Sequence, residues 1–314
     1  MTKIPRGAHK DRPNDLLERL AQYEADLGPL PGVVDPAWRK TLIYQMVSSL
    51  RRIEYINALH LRPIAADRID PYLADFDPLR GAIFLLRKGE LEEAVWMTFI
   101  ATHFGKHVRD GWKLAANVFG SFGQGPVWTA DQYGAARPRF EAMLAANQQA
   151  LADPELSGRF SNHRQYQSKN AELIARVFRS FHEWQFEAGG FSARTRQVHL
   201  EVGQDPTATF NALYLSMKAV YGFGRLGKFD FLTMAGKLQL APILPGSVYL
   251  PGATGPLAGA KLLFHGDRKF RTGATGLGKR VDGLDDYLEV GKQVLEDSLC
   301  NWQKHPDRYV YFRG

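Results

Sequence analysis

Apolar residues recur at helical spacing along almost the whole of this 314-residue chain, and almost nothing alternates with the two-residue period of a half-buried strand. Leu16, Leu17, Leu20 and Tyr23 mark a helix over 13–27, which Pro29, Pro31 and Gly32 bring to an end. After Asp35-Pro36 a longer helix runs through WRKTLIYQMVSSLRRIEYINAL, where Leu42, Ile43, Met46, Val47, Leu50, Ile53 and Ile56 form a wide stripe. Arg51, Arg52, Glu54 and Tyr55 lie between its members, either as a solvated face or as phosphate contacts. Amphipathic stretches follow over 77–87, 91–108, 112–119, 135–152 and 170–187, and Thr207 is placed to cap a helix reaching Val220. Residues 197–202 are the best strand-like run before the last third. The expected fold class is all-α or nearly all-α, in two packed helical lobes, with an approximate boundary dividing 1–206 from 207–314.

Forty Lys and Arg against 33 Asp and Glu give a formal charge of +7, which favours a polyanionic partner. Cys300 is the sole cysteine, so a disulfide within the chain, a four-thiolate iron–sulfur cluster and a zinc ribbon are all excluded. A reducing cytoplasm is the expected compartment. The start, MTKIPRGAHKDRPNDLLERL, has no apolar run after its charges, and no stretch of about 18 apolar residues occurs anywhere, so neither a secretory leader nor a membrane span is expected.

Three motifs invite stronger readings than their context supports. Gly222, Gly224 and Gly227 satisfy a GxGxxG pattern, but a helix rather than a strand precedes them. GATGLGKR, with Gly273, Gly278 and Lys279, imitates a phosphate loop while placing Arg280 where Ser or Thr would hold magnesium; a glycine-rich basic loop near DNA is the better reading. His103 and His107 have the spacing of a metal pair on a helix without a third ligand, so no metal or other cofactor is expected.

The informative segment is VYLPGATGPLAGAKLLF, 248–264, in which Leu250-Pro251-Gly252 and Gly255-Pro256 make a tight turn opening a helix. Such a turn aims successive backbone N–H groups and a helix dipole at one anion. It resembles the hairpin of the helix-hairpin-helix DNA glycosylases, Leu-Pro-Gly, one residue, Gly, then a helix of small and apolar residues, with Ala253 and Thr254 standing where that superfamily has a single residue. The resemblance implies that Leu250, Gly252, Thr254, Gly255, Leu257 and Lys261 lie against a DNA backbone; an ordinary glycine turn between packed helices is the other reading.

The same resemblance implies a catalytic carboxylate at the N-terminal end of the next helix, after a loop spanning 265–280. Asp282 fits that place, with Asp285 or Asp286 as alternatives and simple helix capping as the competing role of Asp282 or Asp285. A carboxylate suits the chemistry, because breaking an N-glycosidic bond builds positive charge on the sugar that a nearby anion stabilises while it orients or deprotonates water. Superfamily members that also cut the strand carry a lysine where Leu257 stands, so base excision without lysine-driven cleavage is implied.

At closer range, 221–314 resembles the clade 3 family of α-glutamyl/putrescinyl thymine pyrophosphorylases, associated with phage DNA carrying hypermodified pyrimidines and with relatives implicated in antiviral defence. LIYQMVSSLRRIEYI, further upstream, resembles the early helix that glycosylases place beside the lesion. The implied function is a DNA glycosylase that removes a modified pyrimidine from double-stranded phage DNA and leaves an abasic site. An enzyme processing modified thymine and a non-catalytic DNA-binding module are the alternatives. Arg225, Lys228, Arg268, Lys269, Arg271, Lys279 and Arg280 surround the matched motifs, as a phosphate-binding surface or as a solvated basic face. Tyr221, Phe223 and Trp302, with Phe229 and Phe231 beside them, are the candidates to stack on an extruded base, although most large aromatics in helices are packing residues.

Overall fold

The computed structural model describes residues 11–311, so the basic start of the chain, read above as lacking a leader, lies largely outside the described residues. In chain order the helices are α1 Arg12–Leu27, α2 Pro36–Leu59, α3 Pro78–Arg87, α4 Leu91–Phe104, α5 Lys113–Phe119, α6 Ala130–Ala146, α7 Gln148–Ala152 and α8 Pro154–Ser157. They continue as α9 Ala171–Phe186, α10 Phe191–Glu201, α11 Pro206–Ser216, α12 Arg225–Lys237, α13 Gly255–His265, α14 Ala274–Leu288 and α15 Lys292–Trp302. The fold is all-α: among the described residues the only β pairing is an isolated bridge between His107 and Gly111. No helix among the described residues is long and apolar enough to cross a membrane.

Three expectations are corrected. Residues 197–201 belong to α10, with Val202 as its C-cap, and not to a strand: Gln197 bonds Glu201 one turn on (2.9 Å), and the helix start is held by the Glu92 carboxylate, which accepts from Phe191 N–H (2.9 Å) and Ser192 N–H (3.0 Å). The cap of α11 is Asp205, which takes the Thr207 N–H at 2.8 Å, so Thr207 lies inside the helix it was expected to cap. The stretch 135–152 is split between α6 and α7, and α6 is kinked at Ala136 (φ −138°, ψ 36°) two residues before Pro138.

The chain divides into two compact units, one formed by the described parts of Met1–Ile56 and Pro245–Phe312, the other by Asn57–Leu244. In the second unit α4 is buried on every side from Ala94 to Phe104, and an aromatic core surrounds it: Phe99 stacks on Phe181 with centroids 4.0 Å apart, while Trp96, Tyr133, Phe140 and Phe178 close around them. A helix encased in this way has no polar face to give, so its charges collect at its first turn. Glu92 and Glu93 stand there, and Glu93 accepts the first N–H groups of α6, Ala130 (2.9 Å) and Asp131 (3.0 Å), as Glu92 does for α10.

The first unit packs α1, α2, α13, α14 and α15 around Leu20, Ile43, Leu250, Leu263, Leu284, Leu299 and Trp302. Its tightest contacts run through glycine. A Cβ on Gly259 of α13 would stand 2.3 Å from the Leu299 carbonyl oxygen of α15, and one on Gly32 would stand 2.1 Å from the Leu262 carbonyl oxygen. The small residues of GPLAGAK thus let backbones touch, which seats α13 closely between its neighbours.

Candidate functional site

The hairpin is formed as a turn followed at once by a helix. Ala253 N–H donates to the Leu250 carbonyl at 2.9 Å, Pro251 takes the second place and Gly252, at φ +78°, the third, the marks of a type II turn. Leu250 and Ala253 point into the core, while Gly252 and Thr254 are exposed. Thr254 occupies the N-cap of α13 without its side chain capping the helix, and Pro256 has no N–H, so the first turn offers the Gly255 and Leu257 N–H groups outward. Gly255 itself has no positive φ; it is glycine because a Cβ there would meet the Cys300 Sγ at 2.6 Å. Leu257 and Lys261 are half-buried along the same helix.

Asp282 lies in the third turn of α14, not at a helix start, because α14 already begins at Ala274. The expected loop over 265–280 therefore shrinks to 266–273, and GATGLGKR is mostly helix rather than a glycine-rich loop. LDDYLEVGKQVLEDSL is also broken, at Glu289–Gly291, between α14 and α15. Neither Asp282 nor Asp285 is the cap of its own helix.

What each carboxyl does instead is visible in its partners. Asp285 is nearly saturated: one oxygen accepts from Val290 N–H (3.0 Å) and Gly291 N–H (2.8 Å), the other lies 3.2 Å from the Lys292 ammonium. It fastens the turn between α14 and α15. Asp282, one helical turn earlier on the same face, accepts from Val248 N–H (3.2 Å) and from the Ser247 hydroxyl, so it ties α14 to the strand of chain that enters the hairpin. Lys292 closes the cluster by donating to the Asp282 carbonyl at 2.7 Å. Burial raises the Asp282 carboxyl above the usual aspartate range, against the lowering effects of Ser247, Val248 and Lys292, while Asp285 adds to the rise. Sequence reasoning missed Ser247 and Lys292; the one signal for Lys292 was Gly291, which breaks the apolar run and opens a new helix.

The basic candidates fall in both units. In the first, Arg268, Lys269 and Arg271 are exposed on the loop after α13, Arg268 donating to the Gln303 carbonyl at 2.8 Å. Lys279 and Arg280 are exposed on α14, with the Arg280 guanidinium 4.3 Å from the centroid of Phe264. Arg225 and Lys228 belong to α12 of the second unit, over Phe229 (4.8 Å) and Tyr214 (4.1 Å). Of the aromatic candidates, Trp302 is fully buried and donates its indole N–H to the Trp38 carbonyl at 3.1 Å. Phe223 is buried in the aromatic core of the second unit, with Phe229 and Phe231. Tyr221 is half-buried, its ring 3.9 Å from the Arg176 guanidinium. Arg51 and Tyr55 are exposed on α2, whereas Arg52 pairs with Asp297 and Glu54 with Arg12 at 2.7 Å. His103 lies in the last turn of α4 and His107 beyond the helix, so the two do not share a helix; among the described residues no group of three or more metal-ligating acidic, His or Cys side chains occurs.

The fold and this site define an all-helical protein with a glycine-turn hairpin fastened to a half-buried carboxylate. Residues 37–314 match a family model described as alpha-glutamyl/putrescinyl thymine pyrophosphorylase clade 3, and the chain belongs to that family. Searches of curated proteins and of solved structures returned no match.

Proposed function

We propose that this protein acts on modified thymine or a related modified pyrimidine in DNA, as the family description suggests, and that it does so as a monofunctional glycosylase. The observation that carries the reading is the tether between Asp282 and the hairpin: a carboxyl raised by burial is bound to the segment that enters an uncapped helix N-terminus. The hairpin would take a backbone phosphate on the Gly255 and Leu257 N–H groups, with the cations at Arg268, Lys269, Arg271, Lys279 and Arg280 drawing the duplex in. Asp282 would face the sugar of the extruded nucleotide. Its burial strengthens its attraction for the developing sugar cation, and its raised proton affinity suits it to take a proton from the attacking water. Asp285 is the weaker candidate, since its oxygens are occupied by two backbone N–H groups and an ammonium.

The biological setting that follows is attack on phage DNA in the bacterial cytoplasm, with an abasic site as product. Leu257 in place of the hairpin lysine predicts that strand breaks appear only after alkali, and that borohydride traps no covalent protein–DNA adduct. Duplex phage DNA with the modified base, incubated and then divided between neutral and alkaline gels, tests this directly. Breaks in the neutral gel would overturn the monofunctional assignment, and intact strands in both would overturn base excision.

A further inference from the structure

The second unit contains a cleft of about 390 Å³ between α3, the loop after α4 and the start of α5. That volume lies within the range of small-molecule sites, roughly 300–1,000 Å³. Arg68, Arg80, Lys106 and Lys113 line it against two carboxylates, Asp77 and Asp110.

Of the two, Asp110 is committed to groups outside the lining. Asp110 accepts from Arg159 at 2.9 Å and lies 3.3 Å from His107. Asp77 caps α3 by accepting from Arg80 N–H (3.2 Å) and stands 3.9 Å from both the Arg80 and Lys106 side chains. Arg68 is met by Asp75 at 2.9 Å, whereas the Lys113 ammonium reaches a neutral acceptor, the Glu155 carbonyl, at 2.7 Å. Of the groups lining the cleft, four cations thus face two carboxylates, while Asp75 sits on Arg68 and Glu155 on the Arg159 that holds Asp110.

One wall of the cleft is apolar. Leu73, Phe76 and Ala116 contribute to it, together with Trp112, over whose ring Lys106 lies at 5.9 Å. Positive charge beside an apolar wall matches a molecule with an anionic end and a ring. We infer that this cleft binds a phosphorylated small molecule of nucleotide size, separately from the DNA-facing hairpin. A backbone phosphate of a duplex would engage the cations from outside and leave the apolar wall unused.

Calorimetric titration of the full chain with dTMP, with pyrophosphate and with a short unmodified duplex tests the inference. Lys106→Glu and Lys113→Gln are the informative variants, since both side chains are exposed. The expected result is saturable dTMP binding to the wild type, weakened about tenfold or more in each variant, as for loss of a charged hydrogen bond. The wild type should also melt at higher temperature with dTMP present. Absence of dTMP binding, binding unchanged in both variants, or pyrophosphate binding without dTMP binding would each overturn the nucleotide-sized site. Weaker duplex binding by Lys106→Glu, with no dTMP binding by the wild type, would assign these cations to the DNA backbone and overturn it as well.

Discussion

Replacing Gly259 with alanine tests whether α13 is seated on α15 by contact between backbones. The added Cβ would stand 2.3 Å from the Leu299 carbonyl oxygen and 2.7 Å from its carbon. Ordinary non-bonded contacts of carbon lie at about 3.5 Å, so the helices would have to part by roughly an ångström along that line. Overpacking of this kind costs about 1–3 kcal/mol, and a carbonyl cannot rotate away as a side chain can. Alanine recovers about 1 kcal/mol of helix propensity, leaving a net loss of up to about 2 kcal/mol. Gly276→Ala is the control: it lies in α14 with nothing within 4 Å of a built Cβ, so it gains the propensity alone. Urea denaturation should move the midpoint down for Gly259→Ala and up for Gly276→Ala. If Gly259→Ala gains as much stability as Gly276→Ala, the seating of the hairpin helix described above is wrong.

Further outcomes follow from charge and burial. Because burial raises the Asp282 carboxyl, stability associated with its neutral form is present below the usual aspartate range and lost as pH rises through the raised value. Asp282→Asn should therefore gain stability over the wild type between about pH 4 and 7, with the gain vanishing in acid; a difference independent of pH would show that Asp282 is not perturbed. His103 is fully buried, and burial, then Arg164, lower it to about 3, so the unfolded chain takes up its proton first as pH falls below about 6.5. His103→Phe should remove a loss of about 3 kcal/mol at about pH 4.5, seen as a smaller acid shift of the urea midpoint, and an unchanged shift would contradict it. Reversing Arg268, Lys269 and Arg271 to Glu should weaken duplex binding and flatten its dependence on salt, whereas an unaltered salt slope would make that loop a solvated face.

Much of the helical framework was legible because core-facing residues repeat at 3.6-residue spacing: α1, α3, α5 and α9 fall close to their expected bounds. Residues 197–202 misled because Val198, Leu200 and Val202 alternate, and what decides for helix is Glu92, almost a hundred residues away, holding the start of α10. The hairpin was legible from Leu250-Pro251-Gly252, since proline and positive-φ glycine specify their own turn. The reason for Gly255 was not, because it rests on Cys300 of another helix. Asp282 and Asp285 were found as residues, but their division of labour depends on Val248, Val290 and Lys292, and no local pattern encodes which backbone N–H a carboxylate will meet. The grouping of α1 and most of α2 with the chain from Pro245 onward is a tertiary contact of the same kind.

The central claim is base excision by a carboxylate next to the hairpin. Purified protein incubated with phage DNA bearing modified pyrimidines, and with the unmodified counterpart, can be followed by mass spectrometry of the small molecules released. The wild type should liberate the modified base as a free base from modified DNA alone, and Asp282→Asn should bind the duplex equally well while releasing base slower by about a hundredfold or more. Release at the wild-type rate by Asp282→Asn would remove Asp282 from the chemistry, and DNA binding with no free base from any modified substrate would contradict the glycosylase account itself.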